Sequence, residues 1–292
     1  MSIKPYLVSL RLQTLALSLS GIILGSFMAF RYGYFDGVVF TLALLTTISL
    51  QILSNLANEW GDLSKGTDNK DRLGPKRSMQ TGEIPLPIFR AMIWCFGVLS
   101  ALFGVALVWV SFDSLLTRDG MVMLALGACA IVAAITYTVG RKAYGYYGLG
   151  DLFVFIFFGL VSVLGSSFLM MQRIEPLLLL PAVACGLLST GVLNVNNLRD
   201  IENDRACGKR TLAVRLGQRS AKVYHTGLII GAFVAMGCFC FLKTMNWYFL
   251  CTLPLFAIHL HRIYSLHGAA LNPQLKVLSL STFAFCLCAS LL

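Results

Sequence analysis

Leu152-Phe-Val-Phe-Ile-Phe-Phe-Gly-Leu-Val-Ser-Val-Leu-Gly-Ser-Ser-Phe-Leu-Met-Met171 is a run of 20 residues without a charge. That is what an α-helix needs to cross a hydrocarbon core of about 30 Å. Stretches of the same kind recur at 12–30, 38–57, 91–111, 120–139, 177–195, 223–242, 247–261 and 274–292. Of the 292 residues, 57% are hydrophobic and 12% charged, and the mean hydropathy is +0.77. A soluble globular or disordered chain is thereby excluded. The expected architecture is an all-α integral membrane protein, with residues 1–292 forming one domain of nine transmembrane helices in one bundle. Pro254 and the polar run 259–268 blur the ends of the last two.

The formal net charge is +10. With a cytoplasmic N-terminus, 19 of the 23 Lys and Arg fall on the cytoplasmic side, leaving Arg31, Arg118, Arg173 and Lys243 outside. Basic residues retain loops in the cytoplasm, so the expected orientation is N-in and C-out, and the basicity needs no nucleic acid to explain it. Lys4 and Arg11 introduce an uncleaved first helix rather than a signal peptide, because so many spans follow. The nine Cys lie mostly inside apolar runs and support neither a disulfide framework nor a Cys-based metal site.

Orientation requires Lys and Arg, not carboxylates, yet nine of the 13 Asp and Glu lie on the same face. They concentrate in two long loops that resemble each other. Asp71-Arg-Leu-Gly-Pro-Lys-Arg77 and Asp204-Arg-Ala-Cys-Gly-Lys-Arg210 agree at four of seven positions, which points to a duplicated helix and loop. In the first unit Asn58 and Asp62 are four apart, on one helical face with Asn55 a turn earlier, and Asp68 and Asp71 follow. In the second, Asn196, Asp200 and Asp204 repeat the spacing of four. Hard oxygen donors at two helix ends suit Mg²⁺, which is usually held by one or two carboxylates plus substrate phosphates. Around both clusters stand Lys65, Arg72, Arg141, Lys142 and Lys209, with Lys70, Lys76, Arg77, Arg205 and Arg210. Carboxylates interleaved with so many cations call for an anionic ligand, and a diphosphate bridged through Mg²⁺ fits. Solvated loop charge is the plain alternative. Two Asn-x-x-x-Asp units at matching apolar helix ends argue against it, since helix propensity disfavours Asn there.

Asn58…Asp62…Asp68 and Asn196-x-x-x-Asp200-x-x-x-Asp204 resemble the two Asp-rich motifs of the UbiA superfamily of intramembrane aromatic prenyltransferases. The stretches Gln51–Pro75, Ala134–Asp151 and Leu193–Gly217 are similar to its menaquinone branch, the 1,4-dihydroxy-2-naphthoate polyprenyltransferases. The resemblance implies a Mg²⁺-dependent enzyme of the bacterial cytoplasmic (inner) membrane with its active site on the cytoplasmic side. Its substrates would be a polyprenyl diphosphate and an aromatic acid. It would transfer the polyprenyl group to 1,4-dihydroxy-2-naphthoate with loss of CO₂ and diphosphate, giving demethylmenaquinone. Asp62, Asp68, Asp200 and Asp204 would hold the metal, Asn58 and Asn196 would fix those ligands or contact oxygen, and Lys65, Arg72, Arg141, Lys142 and Lys209 would take up the remaining phosphate charge. One departure stands out: the superfamily's first motif commonly has Asp four residues after its first Asp, and position 66 here is Gly. The resemblance favours Asp68 as the missing ligand, whereas the match between the two loops favours Asp71.

Tyr137 and Arg141, with Tyr144, Tyr146 and Tyr147, look like the family's Tyr-and-basic segment, where aromatic faces border the reacting allylic cation. Tyr at a membrane interface is also ordinary composition. Arg11 and Thr14 resemble the family's pair on the first helix. Arg11 reads as a partner for the acceptor's carboxylate or as a charge that sets topology. Asp151 reads as an N-cap or as a polar site residue. His259, His261 and His267 do not share a helical face and read as interface residues. Two other functions stay open: a 4-hydroxybenzoate polyprenyltransferase of ubiquinone biosynthesis, and a cation-coupled transporter whose intramembrane carboxylates mark an ion path.

Overall fold

The computed structural model describes residues 3–243 and 245–291, and among them every regular element is helical. The main elements are α1 (Lys4–Leu10), α2 (Leu15–Arg31), α3 (Gly37–Ser64), α4 (Leu86–Phe112), α5 (Arg118–Thr136), α6 (Gly150–Met171), α7 (Leu179–Arg199), α8 (Ile201–Ala206), α9 (Gln218–Lys243), α10 (Leu253–Ser265) and α11 (Asn272–Ser290). Seven helical stretches among the described residues are long and apolar enough to cross a membrane: Lys4–Arg31, Gly37–Ser64, Leu86–Phe112, Arg118–Thr136, Gly150–Met171, Pro176–Arg199 and Gln218–Lys243. Nine were expected. The expected segments 247–261 and 274–292 do contain helices, with residue 292 outside the described set. Yet α10 has only 13 residues, because a 3₁₀ turn over Tyr248–Thr252 precedes its start at Leu253. At 1.5 Å per residue it is about 20 Å long. The 19-residue α11 carries Gln274, Lys276 and four hydroxyl side chains, which dilute its hydropathy.

The first span is not one continuous helix. Arg11 adopts a left-handed backbone (φ 49°), and a 3₁₀ turn over Leu12–Thr14 separates α1 from α2. Such a break frees backbone carbonyls that lipid cannot satisfy. Buried Asn55 on α3 answers this: its Nδ2 donates to Leu10 O (2.9 Å) and Thr14 Oγ1 (3.0 Å), while its Oδ1 accepts from Gln51 (3.1 Å). Asn55, expected at the substrate site, is therefore committed to the break.

The largest core joins α2, α6, α7, α9 and α11 through Leu24, Val163, Leu188, Phe239 and Phe285, with Phe256 from α10. Within α6 the segment Phe155–Val161 is π-helical, and there it meets α7 closely. A Cβ on Gly159 would stand 2.5 Å from Gly186 Cα, so this crossing needs glycine. The outer surface is apolar, with Trp94 and Phe241 each 75% exposed and Leu102, Val132 and Ile230 also open. In water such a surface would drive association, whereas lipid solvates it.

Candidate active site

The C-terminal ends of α3 and α7 lead into two loops that interlock. Asn203 Nδ2 donates to Thr67 O at 2.9 Å across 136 residues of sequence, and Asn69 Nδ2 lies 3.2 Å from Cys207 Sγ. Asp62, Asp68, Asp200 and Asp204 are all buried at this junction, each 5% exposed or less. One ammonium touches both motifs: Lys209 Nζ lies 3.5 Å from Asp62 Oδ1 and 3.9 Å from Asp204 Oδ1.

Carboxylates packed this closely need counter-charge, and the chain supplies it. Arg77 Nη1 donates to Asp68 Oδ2 (2.6 Å), Asp62 Oδ2 (3.1 Å) and Asn58 O (3.2 Å), and Arg72 Nε lies 3.1 Å from Asp68 Oδ1. Arg199 Nε donates to Asp200 Oδ1 (3.1 Å), and its Nη2 donates to Asp200 Oδ2 and to Asn196 Oδ1 (2.9 Å). Burial above all, with Asp200 and Asp62 close by, pushes Asp204 up to about 6 against the pull of Lys209. Burial also raises Asp68 above the usual carboxylate range, although Arg77 opposes it. Burial weighs against the Lys209 and Arg77 cations, but the adjoining carboxylates more than offset it and hold both above their ordinary values.

An aromatic wall closes one side. Tyr146 donates from Oη to Asp62 Oδ1 (2.9 Å) and shares a 2.5 Å contact with Thr67 Oγ1, while Lys65 Nζ lies over its ring at 4.1 Å. Tyr137 stacks edge-on against Tyr144 (centroids 5.3 Å apart), which stacks in turn on Phe153 (4.0 Å). Burial, reinforced by the charges of Asp62, Asp151 and Asp204, raises the Tyr137 phenol far above its ordinary value and keeps it neutral. Asp151 is buried and accepts from Tyr224 Oη at 3.3 Å; it is not an N-cap, because its helix begins at Gly150 after Leu149. Asn58 Oδ1 accepts from Thr138 Oγ1 at 3.2 Å, and its backbone oxygen is the one that Arg77 reaches. Arg11 lies within electrostatic reach of Arg77, Arg72, Glu59 and Asp68.

Other expected residues lie apart. Asp71 is exposed in a turn closed by its own N–H to Asn69 Oδ1 (2.9 Å), whereas Asp68, the other candidate, is buried. Arg141 and Lys142 are exposed, and among the described residues the cluster's ion pairs are made by Arg72, Arg77, Arg199 and Lys209 instead. The pattern reading passed over the clamping roles of Arg77 and Arg199. It counted Glu59 among the carboxylates of that face without giving it a role; Glu59 is fully buried, with Oε1 accepting from Met79 N (2.9 Å) and Ser9 Oγ (3.2 Å). Asn197 is likewise buried, and its Oδ1 has no hydrogen-bond partner.

Hard oxygen donors, one of them an orphaned amide oxygen, are the ligand chemistry Mg²⁺ takes. Among the described residues no three His, Cys, Asp or Glu converge to hold a metal alone. The model of the UbiA prenyltransferase family matches residues 18–288. The chain belongs to this family. Its UbiA relatives include the 1,4-dihydroxy-2-naphthoate octaprenyltransferase of Escherichia coli (strain K12), 48% identical over 86% of this chain and 82% of that protein. The enzyme of the same name from Haemophilus influenzae is 41% identical over 95% and 92%. Among solved structures, a UbiA homologue from Aeropyrum pernix K1 superposes with a TM-score of 0.66 at 18% identity, covering 96% of each chain. Another from Archaeoglobus fulgidus, bound to DMAPP and Mg²⁺, gives 0.65 at 15% identity, covering 97% of this chain and 98% of that one. At such identities these two establish the shared UbiA fold.

Proposed function

We infer that this chain transfers a polyprenyl group from polyprenyl diphosphate to 1,4-dihydroxy-2-naphthoate, with loss of CO₂ and diphosphate, giving demethylmenaquinone. The relatives named above support the acceptor, and the contact of Lys209 with both acidic motifs supports a single diphosphate site between them. Breaking the C–O bond to diphosphate builds negative charge on the leaving group and positive charge on the allyl. Stabilising charge where it develops is the largest lever a site has. Asp62, Asp68, Asp200 and Asp204 would hold Mg²⁺, with Asn58, Asn196 and Asn197 as further oxygen donors. When bound, Mg²⁺ supplies neutralisation of the departing diphosphate, as the DMAPP and Mg²⁺ complex of the Archaeoglobus homologue suggests. Lys65, Arg72, Arg77 and Lys209 take up phosphate charge directly. Tyr137 and Tyr146 face the allyl with neutral rings, and Arg11 meets the acceptor's carboxylate.

The chain acts as one domain of the bacterial cytoplasmic membrane, with α10, lengthened by about 10 Å through the preceding 3₁₀ turn Tyr248–Thr252, and α11 completing nine crossings and the N-terminus and cluster on the cytoplasmic side. The test incubates membranes with Mg²⁺, a polyprenyl diphosphate and each aromatic acid in turn, and weighs the products. A prenylated naphthalene lacking the carboxyl group is expected. A product that keeps the carboxyl of 4-hydroxybenzoate, or no Mg²⁺-dependent product at all, overturns the reading.

A further inference from the structure

Arg199 donates four side-chain hydrogen bonds against three from Arg77 and one from Lys209, all of them to groups of the chain itself. It is 2% exposed. Four of the five N–H bonds of its guanidinium are engaged: Nε and Nη2 on the two oxygens of Asp200, Nη2 again on Asn196 Oδ1, and Nη1 on Asn272 Oδ1 at 3.0 Å. Asn272, at the first turn of α11, donates in turn from Nδ2 to Leu73 O (3.0 Å) in the loop that follows Asp68. A chain of hydrogen bonds thus runs from the second acidic motif, through the last helix, to the loop of the first.

We propose that Arg199 is a positioning residue that presents Asp200 and Asn196 as one preset unit, with Asn272 of α11 as its strut. The inference rests on the reading above that Asp200 is a ligand to Mg²⁺. A fork of guanidinium N–H bonds takes one lone pair from each carboxylate oxygen, and a carboxylate has about four acceptor sites, so the remainder stay open to a cation. Arg199 fixes where they point. Lysine keeps the charge but cannot make the fork, which separates orientation from electrostatics.

The experiment measures binding of Mn²⁺, as a paramagnetic probe, to purified protein in the presence of inorganic pyrophosphate, beside the Mg²⁺ half-saturation of turnover. Arg199→Lys is expected to weaken Mn²⁺ about tenfold or more, the usual cost of losing a partner that orients a metal ligand. Asn272→Ala weakens it less, and the double variant is no worse than Arg199→Lys alone, because both changes cut one relay. Asn272→Asp keeps an acceptor for Nη1 but has no N–H for Leu73 O, so its affinity is expected to fall between Asn272→Ala and the wild type. Wild-type Mn²⁺ binding by Arg199→Lys, or penalties that simply add, overturns the proposal while leaving the metal site in place. Undiminished binding by Asp62→Asn and Asp200→Asn removes the metal reading itself, and the proposal with it.

Discussion

Lys209 sits with its ammonium 3.5 Å from Asp62 and 3.9 Å from Asp204, so a side chain from the second loop feels the charge of both motifs. Substitution of Asp62 or Asp200 by Asn is expected to lower turnover by roughly 10²-fold or more, the scale of losing a main electrostatic contact in a transition state. Protein level in the membrane, followed by immunoblot, should not change. Asp204 gives a pH signature. Its carboxyl is raised to about 6 in the folded protein, so the proton is held more tightly there than in the unfolded chain. Stability from this group is full below the ordinary carboxylate pKa and is lost as pH rises through about 6. Under the proposed assignment of Asp204 to Mg²⁺ the cation would have to displace that proton, so the Mg²⁺ needed for half-maximal activity should fall as the assay moves from about pH 5 to about pH 7. A flat Mg²⁺ requirement over that window would contradict the assignment. The aspartates were visible in the sequence because a charge at the end of an apolar run stands out. Arg77 and Arg199 were not, since both loops are full of Lys and Arg, and which of them folds back is decided by tertiary contacts.

Among elements, the interrupted first span shows what patterning leaves hidden. Hydropathy placed the apolar stretch correctly but gave no sign that Arg11 turns left-handed, because nothing local distinguishes an Arg in that conformation. Asn55 carried the opposite ambiguity: a polar residue one turn before a motif looks like part of it, whereas its amide serves the freed carbonyl of Leu10. Asn55→Ala should therefore destabilise the protein by about 1–3 kcal/mol, the cost of a buried polar group left unpaired. The check is a lowered unfolding midpoint in detergent, with the KM for prenyl diphosphate little altered. The likeness between the two loops was legible too, but its equivalence is partial. Arg77 matches Arg210 in the repeat and Lys209 matches Lys76, and yet it is Arg77 and Lys209 that enter the cluster while Lys76 and Arg210 stay exposed.

For the whole molecule, an apolar exterior and a polar junction follow from the apolar runs and the charges placed between them, whereas the lengths of α10 and α11 depend on a 3₁₀ turn and a scatter of hydroxyls that periodicity does not weigh. Each of the four buried aspartates already has a cation of the chain beside it: Arg77 for Asp62 and Asp68, Arg199 for Asp200, Lys209 for Asp204. Treatment with EDTA should thus abolish turnover but leave the unfolding midpoint of the purified protein in place, unlike a structural metal site, where chelation unfolds the domain. A drop in that midpoint would mean that metal holds the fold together. If its work needs magnesium as proposed, a protein with internal counter-ions can be synthesised, threaded into the bilayer and stored there through spells of shortage, and resume work once the ion returns.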